Sequence, residues 1–329
     1  MKRRKLLLDG TMASEIGLGC MSFAGFYGAT SEKAAHETLA FCLDNGLDFL
    51  DTANIYGNGI SETVIGNYLK KTQAEFIIAT KGGIRRNNKD GRRFDNRPNY
   101  LRLELETSLT RLNVESVDLF YIHRLDPEVE IENVMETLLA FKAEGKIRGI
   151  GFSEISPTSL RRAASVGPVD AVQSEYSLWT RSPELGMIQL CKELGASFIP
   201  FSPVGRGILT DTTPDIDAFS DRDIRKTNPR FQLSNFADNL QKVEEFKSLA
   251  AGLNLPTATL ALAWVLDQED HLMPIPGTRS SAHASQFIQA SNVKMTSEMR
   301  DNIDRVLPVG WAFGDRYSEN QWVGVERYS

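Results

Sequence analysis

Eight short apolar runs alternate with amphipathic stretches along almost all of the 329 residues, and no other feature constrains the fold as much. The runs read as strands at 16–19, 47–51, 76–81, 117–123, 147–152, 170–174, 197–202 and 272–275. Helical periodicity follows each of them, at 31–44, 61–71, 98–112, 130–144, 157–165, 183–194, 238–253 with 256–267, and 280–290. Strand–helix alternation implies a parallel sheet. Eight such units in about 300 residues fit a closed (β/α)₈ TIM barrel better than an open doubly wound sheet. The first run also lacks the Gly-x-Gly-x-x-Gly of the doubly wound nucleotide folds. Ahead of it, Lys5–Leu8, Asp9-Gly10 and Thr11–Ile16 read as a β-hairpin. A helix at 296–306 and an aromatic-rich tail close the chain. The expectation is an α/β fold: a (β/α)₈ TIM barrel with an N-terminal β-hairpin and a C-terminal helix and tail, forming one domain over 1–329. Two segments, GIRRNNKDGRRFDNRP and Pro203–Asn239, are longer than barrel loops usually are and fall on the face where such loops carry function.

Composition removes several classes. A hydrophobic content of 41% and a charged content of 24% are those of a globular protein. The net charge of −6 leaves no basic excess for phosphates, so no nucleic-acid partner is expected. Basic Met1–Lys5 is followed by only three leucines, and no run reaches spanning length, so no membrane partner is expected either. Cys20, Cys42 and Cys191 are far apart, as suits free thiols in a cytoplasmic protein. With four histidines and only His123 at a strand end, no metal site is expected.

Three strands end on polar side chains: Asp51, Lys81 and His123. Tyr56 follows Asp51 in a Tyr-Gly-Asn-Gly turn. Singly, each has an ordinary structural explanation; at successive strand ends they converge on one face of a barrel. A phenol titrates near 10, and an adjacent ammonium is expected to lower it. Asp51 would hold Lys81 in place and keep it charged, and neutral His123 would orient a carbonyl oxygen. The arrangement suits proton donation to a developing alkoxide. None of these side chains supplies a hydride, so a nicotinamide cofactor is implied.

The segments LGLGCMSF, GLDFLDTANIYGNGISE, IATKGG, DLFYIHRLDP, GKIRGIGFSEIS, AVQSEYSLWTR, FSPVGRGILT and PIPGT occur in this order over nearly the whole chain. They resemble the landmarks of the aldo-keto reductase superfamily, and HR-x-DP, GFSE-x-S and SEYSLWTR are similar to its bacterial and plant NADPH-dependent subgroup. The resemblance implies catalysis by Asp51, Tyr56, Lys81 and His123, and reduction of a small-molecule aldehyde or ketone with NADP (NADPH). It assigns the nicotinamide carboxamide to Ser153 and Gln173, and ring stacking to Phe201. Ser202, Gly205, Arg206 and Leu209 resemble the pyrophosphate loop. Gly277, Thr278 and Arg279 resemble the adenosine-phosphate loop, with Arg279 toward the 2′-phosphate and Gln286 toward the adenine.

Four positions depart from the family pattern: Glu154 and Gln286 replace a usual Asn and a usual Glu, and His283 and Phe287 stand where a basic residue and an Asn are usual. The last two keep NAD open as the cofactor, and with it an alcohol or sugar dehydrogenase. A reading of another class is a cofactor-sensing regulatory subunit resembling potassium-channel β subunits. A monomer or weak homo-oligomer is the habit of such reductases. Met21, Phe23, Phe26, Tyr27, Trp179 and Arg181 are candidates for the pocket wall. Arg85, Arg86, Lys89, Arg92 and Arg93 form a basic loop. Asp315, Arg316, Tyr317 and Trp322 are candidates to fold over the barrel mouth.

Overall fold

The computed structural model describes residues 1–85, 93–221 and 223–327. Arg86, Lys89 and Arg92 of the basic loop therefore lie outside the described residues. The hairpin pairs β1 (Arg3–Lys5) with β2 (Met12–Ser14) antiparallel, in the register Arg3 to Ser14. Its turn pushes Leu6 and Leu7 into the bottom of the molecule, where both are buried.

Seven parallel strands follow, each hydrogen-bonded to the next in chain order. They are β3 (Leu18–Gly19), β4 (Phe49–Asp51), β5 (Ile77–Gly82), β6 (Val117–Ile122), β7 (Ile147–Ser153), β8 (Ala171–Glu175) and β9 (Ser197–Phe201). The intervening helices are α1 (Glu32–Asp44), α2 (Ile60–Thr72), α3 (Pro98–Leu112), α4 (Ile131–Ala143), α5 (Pro157–Val166) and α6 (Met187–Leu194). Their starts follow the local chemistry. The Ser31 side chain accepts from Ala34 N ahead of α1, and Ser156 accepts from Ser159 N ahead of α5, which has Pro157 at its first position. The helix expected at 183–194 is split, because Gly186 at φ 131° separates a 3₁₀ turn, Ser182–Leu185, from α6.

The eighth strand, expected at 272–275, forms only isolated bridges, from Leu272 to Phe198, Ile275 to Phe201 and Gly277 to Gly19. Proline explains the difference. Met273 N and Ile275 N donate to Phe198 O and Pro200 O of β9, at 2.9 and 3.0 Å. On the other edge the segment presents Pro274 and Pro276, whose carbonyls accept from Gly17 N and Gly19 N but which have no N–H to return. Half of that ladder is missing, yet the segment still closes the barrel between β9 and β3.

The remaining helices are α7 (Leu233–Gly252), α8 (Thr257–Gln268), α9 (Ser281–Ala290), α10 (Ser297–Val306) and the short α11 (Glu319–Trp322). Asp211 starts α8 by accepting from Thr257 N and Oγ1, at 2.9 and 2.6 Å. No single described helix is long and apolar enough to cross a membrane.

Two cores hold the layers together. The helices pack outside the sheet over a large apolar cluster. Inside the barrel a second cluster stacks Leu6, Leu7, Phe49, Ala79, Leu119, Tyr121, Ile199 and Met273. On β7 the inward positions are glycines. A Cβ on Gly149 would come within 2.5 Å of Leu7, and one on Gly151 would strike the Tyr121 ring. Period-two alternation continues this inner stack upward, so the next inward layer is polar: Asp51, Lys81 and Gln173.

Candidate active site

Parallel pairing in chain order brings the strand-end residues to one end of the barrel, each offset by two residues from the one before it. Asp51 pairs with Ala79, Lys81 with Tyr121, and Ser153 with Gln173. Lys81 is fully buried and its ammonium has three acceptors: the Asp51 carboxylate, Thr52 O at 2.8 Å and Tyr56 Oη at 3.4 Å. Nζ also lies 5.1 Å from the centroid of the Tyr56 ring. Tyr56 reaches this point from a tight turn in which Gly57 and Gly59 take φ of 60° and 94°. Its ring meets those of His123 and Phe26 edge-on, at 5.9 and 6.2 Å.

Charge at this site is set mainly by burial. Burial opposes the Lys81 charge, but Asp51 and Tyr56 outweigh it and hold the amine above its ordinary range. Burial raises the Asp51 carboxyl, against the pull of Lys81 and of Gln173. His123 is held well below the usual 6.5 by burial and by the charges of Arg124 and Lys81, so its ring is neutral. Its Nδ1 is buried without a hydrogen-bond partner. For Tyr56 the expected lowering is corrected: burial pushes the phenol above 10.0 and outweighs Lys81, whose charge Asp51 partly cancels. The hydroxyl is therefore protonated across the physiological range, ready to donate.

Above the four residues opens a cavity of about 980 Å³. Ser153, Gln173, Phe201, Ser202, Arg206, Gly277, Thr278, Arg279 and Gln286 line it together with Asp51, Tyr56 and His123. Several are engaged in ways the sequence does not indicate. Gln173 Nε2 donates to Asp51 Oδ2 at 2.8 Å, and Ser153 Oγ accepts from Arg124 Nη1 at 3.1 Å. The Arg206 guanidinium donates to Glu175 Oε2 at 2.9 Å. Leu209 belongs to the apolar core, and Gly205 packs where a Cβ would stand 3.0 Å from Trp179 and Ile208, so neither lines the cavity. Trp179 is likewise no wall residue: it is buried and stacks on Trp311 at 6.1 Å. Arg181 pairs with Glu184 and Asp304. Met21 and Tyr27 do line the cavity, whereas Phe23 is core.

A second polar cluster ties the tail to the mouth. Arg316 donates to Glu154 Oε2 at 2.6 Å and lies 3.5 Å from Glu175, which also holds Arg206. Glu154 Oε1 accepts from Glu175 N at 2.8 Å. The Asn-to-Glu departure thus gives Arg316 a buried carboxylate. Glu154, Ser202 and Arg206 adopt φ near +55°, a strained choice for these residue types. Tyr317, Gln321 and Val323 then roof the cavity. Period two marks Glu175 as inward from Gln173, but nothing local marks Arg316 as its partner.

Comparison with known proteins agrees with this layout. The Aldo/keto reductase family model matches residues 15–308. Aldo-keto reductase yakc of Schizosaccharomyces pombe, named with NADP(+), is 38% identical over 305 residues, covering 90% of each chain. A Glycine max protein named probable aldo-keto reductase 1 is 38% identical, covering 99% of this chain and 93% of its own. Among solved structures, the glycerol dehydrogenase AKR11B4 from Gluconobacter oxydans superposes with a TM-score of 0.84 at 28% identity, over 93% of this chain and 94% of that one. The chain belongs to the aldo/keto reductase family.

Proposed function

We propose that the whole chain works as one NADP(H)-dependent oxidoreductase that reduces an aldehyde or ketone to the alcohol, with Tyr56 as the proton donor. One observation carries this reading: Tyr56 Oη stands 3.4 Å from a fully buried ammonium that is paired to Asp51, at the floor of the large cavity. When bound, the nicotinamide supplies the hydride and is left oxidised. Tyr56 gives its proton to the carbonyl oxygen, and Lys81, already hydrogen-bonded to that phenol, stabilises the phenolate left behind. Neutral His123, whose ring stands edge-on to Tyr56 on the cavity wall, orients the substrate oxygen.

The residues present fit such a cofactor. Ser153 and Gln173 place an hydroxyl and an amide over the tetrad, and Phe201 offers a ring face. At the far end α9 begins with no side-chain cap, so its first N–H groups are free for a phosphate. Arg279 stands beside them and, among the described residues, hydrogen-bonds only Tyr27 O, at 3.0 Å. The NADP(+) in the name of the fission-yeast relative points the same way.

Tryptophan fluorescence titration with NADPH and NADH, on wild type and Arg279→Ala, tests the cofactor. A lost charge-assisted hydrogen bond is worth about 1.5–3 kcal/mol, so NADPH should weaken by about tenfold or more while NADH changes little. Equal binding of both cofactors by wild type would reverse the reading. It would favour NAD-dependent alcohol oxidation, the direction to which the glycerol dehydrogenase likeness points.

A further inference from the structure

Around Asp51, Tyr56, Lys81 and His123 the cavity wall carries positive charge that no carboxylate among the described residues neutralises. Arg124 lies directly after His123 and lines the cavity. Its Nη1 makes both of its bonds, to His123 O at 2.6 Å and Ser153 Oγ at 3.1 Å. Nε and Nη2 are left without a bond, and no ion pair involves Arg124 among the described residues. The turn beneath is rigid: buried Asn96 donates to Arg124 O at 3.2 Å and accepts from Asp126 N at 2.7 Å. Arg93, on the rim of the same wall, donates to Asn320 O at 2.8 Å and also has no carboxylate partner.

Two other cations of the cavity are balanced, Arg206 by Glu175 and Arg225 by Asp223. Asp51, the carboxylate of the tetrad, is already taken by Lys81. A partly desolvated guanidinium with one edge bare, held on a fixed turn beside the reacting groups, is a receptor for an anion. A planar carboxylate matches that edge bidentately. Arg279 serves a separate need at the far end of the cavity.

We infer that the carbonyl substrate bears a carboxylate, which Arg124 holds on its Nε and Nη2 edge with Arg93 at the outer rim, while the carbonyl lies against Tyr56 and His123. This rests on the reductase reading above and names the substrate class of that site.

The test compares kcat/KM for 4-carboxybenzaldehyde and its neutral isostere 4-formylbenzamide, with NADPH. Wild type should prefer the acid by about tenfold or more. Arg124→Gln should bring that ratio close to one, Arg124→Lys should restore part of it, and Arg93→Gln should reduce it by a smaller factor. A wild-type ratio near one overturns the inference. So does an unchanged ratio in Arg124→Gln with both substrates slowed alike, the result expected if Arg124 only positions Ser153. Calorimetric titration of 4-carboxybenzaldehyde in the presence of NADP(+) reads the same contact without turnover. Binding that Arg124→Gln abolishes supports the inference even where neither aldehyde is reduced, an outcome that would remove the reductase reading alone. Equal binding by both proteins overturns it.

Discussion

Replacing Asp51 by Asn removes one charge from a buried ion pair. Lys81 is fully buried, and its remaining acceptors in Asp51→Asn are a carbonyl at 2.8 Å and a phenol at 3.4 Å. Asn also offers one acceptor where Asp51 has two, so its amide NH₂ must face either Lys81 or Gln173, both of which are donors. Breaking a buried ion pair from one side costs about 3–5 kcal/mol. At an unfolding entropy of about 0.7 kcal/mol per kelvin for a chain of this length, Tm should fall by about 4–7 °C. The pH dependence follows from Lys81. In wild type its pKa is raised, so it is charged in both folded and unfolded states near neutrality, and its stabilisation is lost only as pH rises through the folded value. In Asp51→Asn burial prevails and the folded pKa falls below the unfolded value of about 10.4, so the unfolded state binds more protons and stability rises with pH. The deficit against wild type is therefore largest at about pH 7 and shrinks toward about pH 10. Lys81→Met with Asp51→Asn should recover much of the loss, because neither charge is then left buried alone. Calorimetry and urea unfolding across that range give the measurement. A deficit below about 1 kcal/mol, the value of an exposed pair, or one that does not change with pH would refute the reasoning.

Three further outcomes follow. Because burial raises the Tyr56 phenol, kcat/KM for reduction should show no alkaline limb until above about pH 10. A limb nearer neutrality would mean that Lys81 controls the phenol. His123, held well below 6.5, contributes stability that is complete above the unfolded value of about 6.5 and is lost as pH falls toward the folded one; His123→Asn should flatten the acid side of a Tm-versus-pH curve relative to wild type. Arg316→Met strands the buried Glu154 carboxylate and leaves Glu175 to Arg206 alone, so the segment after 310 should become the first site of chymotryptic cleavage, and NADPH should dissociate faster with the roof loosened.

Much of this site is legible in the sequence because period-two alternation is strict. Once 47–51, 76–81 and 117–123 are read as parallel strands, Asp51, Lys81 and His123 must lie at the same end of the sheet, and the glycines of GIG must face the barrel axis. Order along the chain also gives the helix boundaries closely, since Ser31, Ser156 and Pro157 act locally. What the sequence hides is pairing at long range. Nothing local shows that Arg206 pairs with Glu175, 31 positions away, or that Arg316 finds Glu154 from 162 positions away. Trp179 reads as a pocket wall, but Trp311 draws it into the core. The sign of the Tyr56 shift is hidden for a related reason: it depends on how deeply the phenol is buried and on how much of the Lys81 charge Asp51 cancels. Pro274 and Pro276 were visible in the eighth run, and their lost N–H groups account for its reduction to bridges.

Single-turnover oxidation of enzyme-bound NADPH on mixing with an excess of aldehyde, compared between wild type and Tyr56→Phe, tests the central claim most directly. If Tyr56 donates the proton, the variant should bind NADPH as wild type does and lose about 10²–10⁴ in rate. A variant within about tenfold of wild type would contradict the account, because the hydroxyl 3.4 Å from Lys81 would then not be the acid.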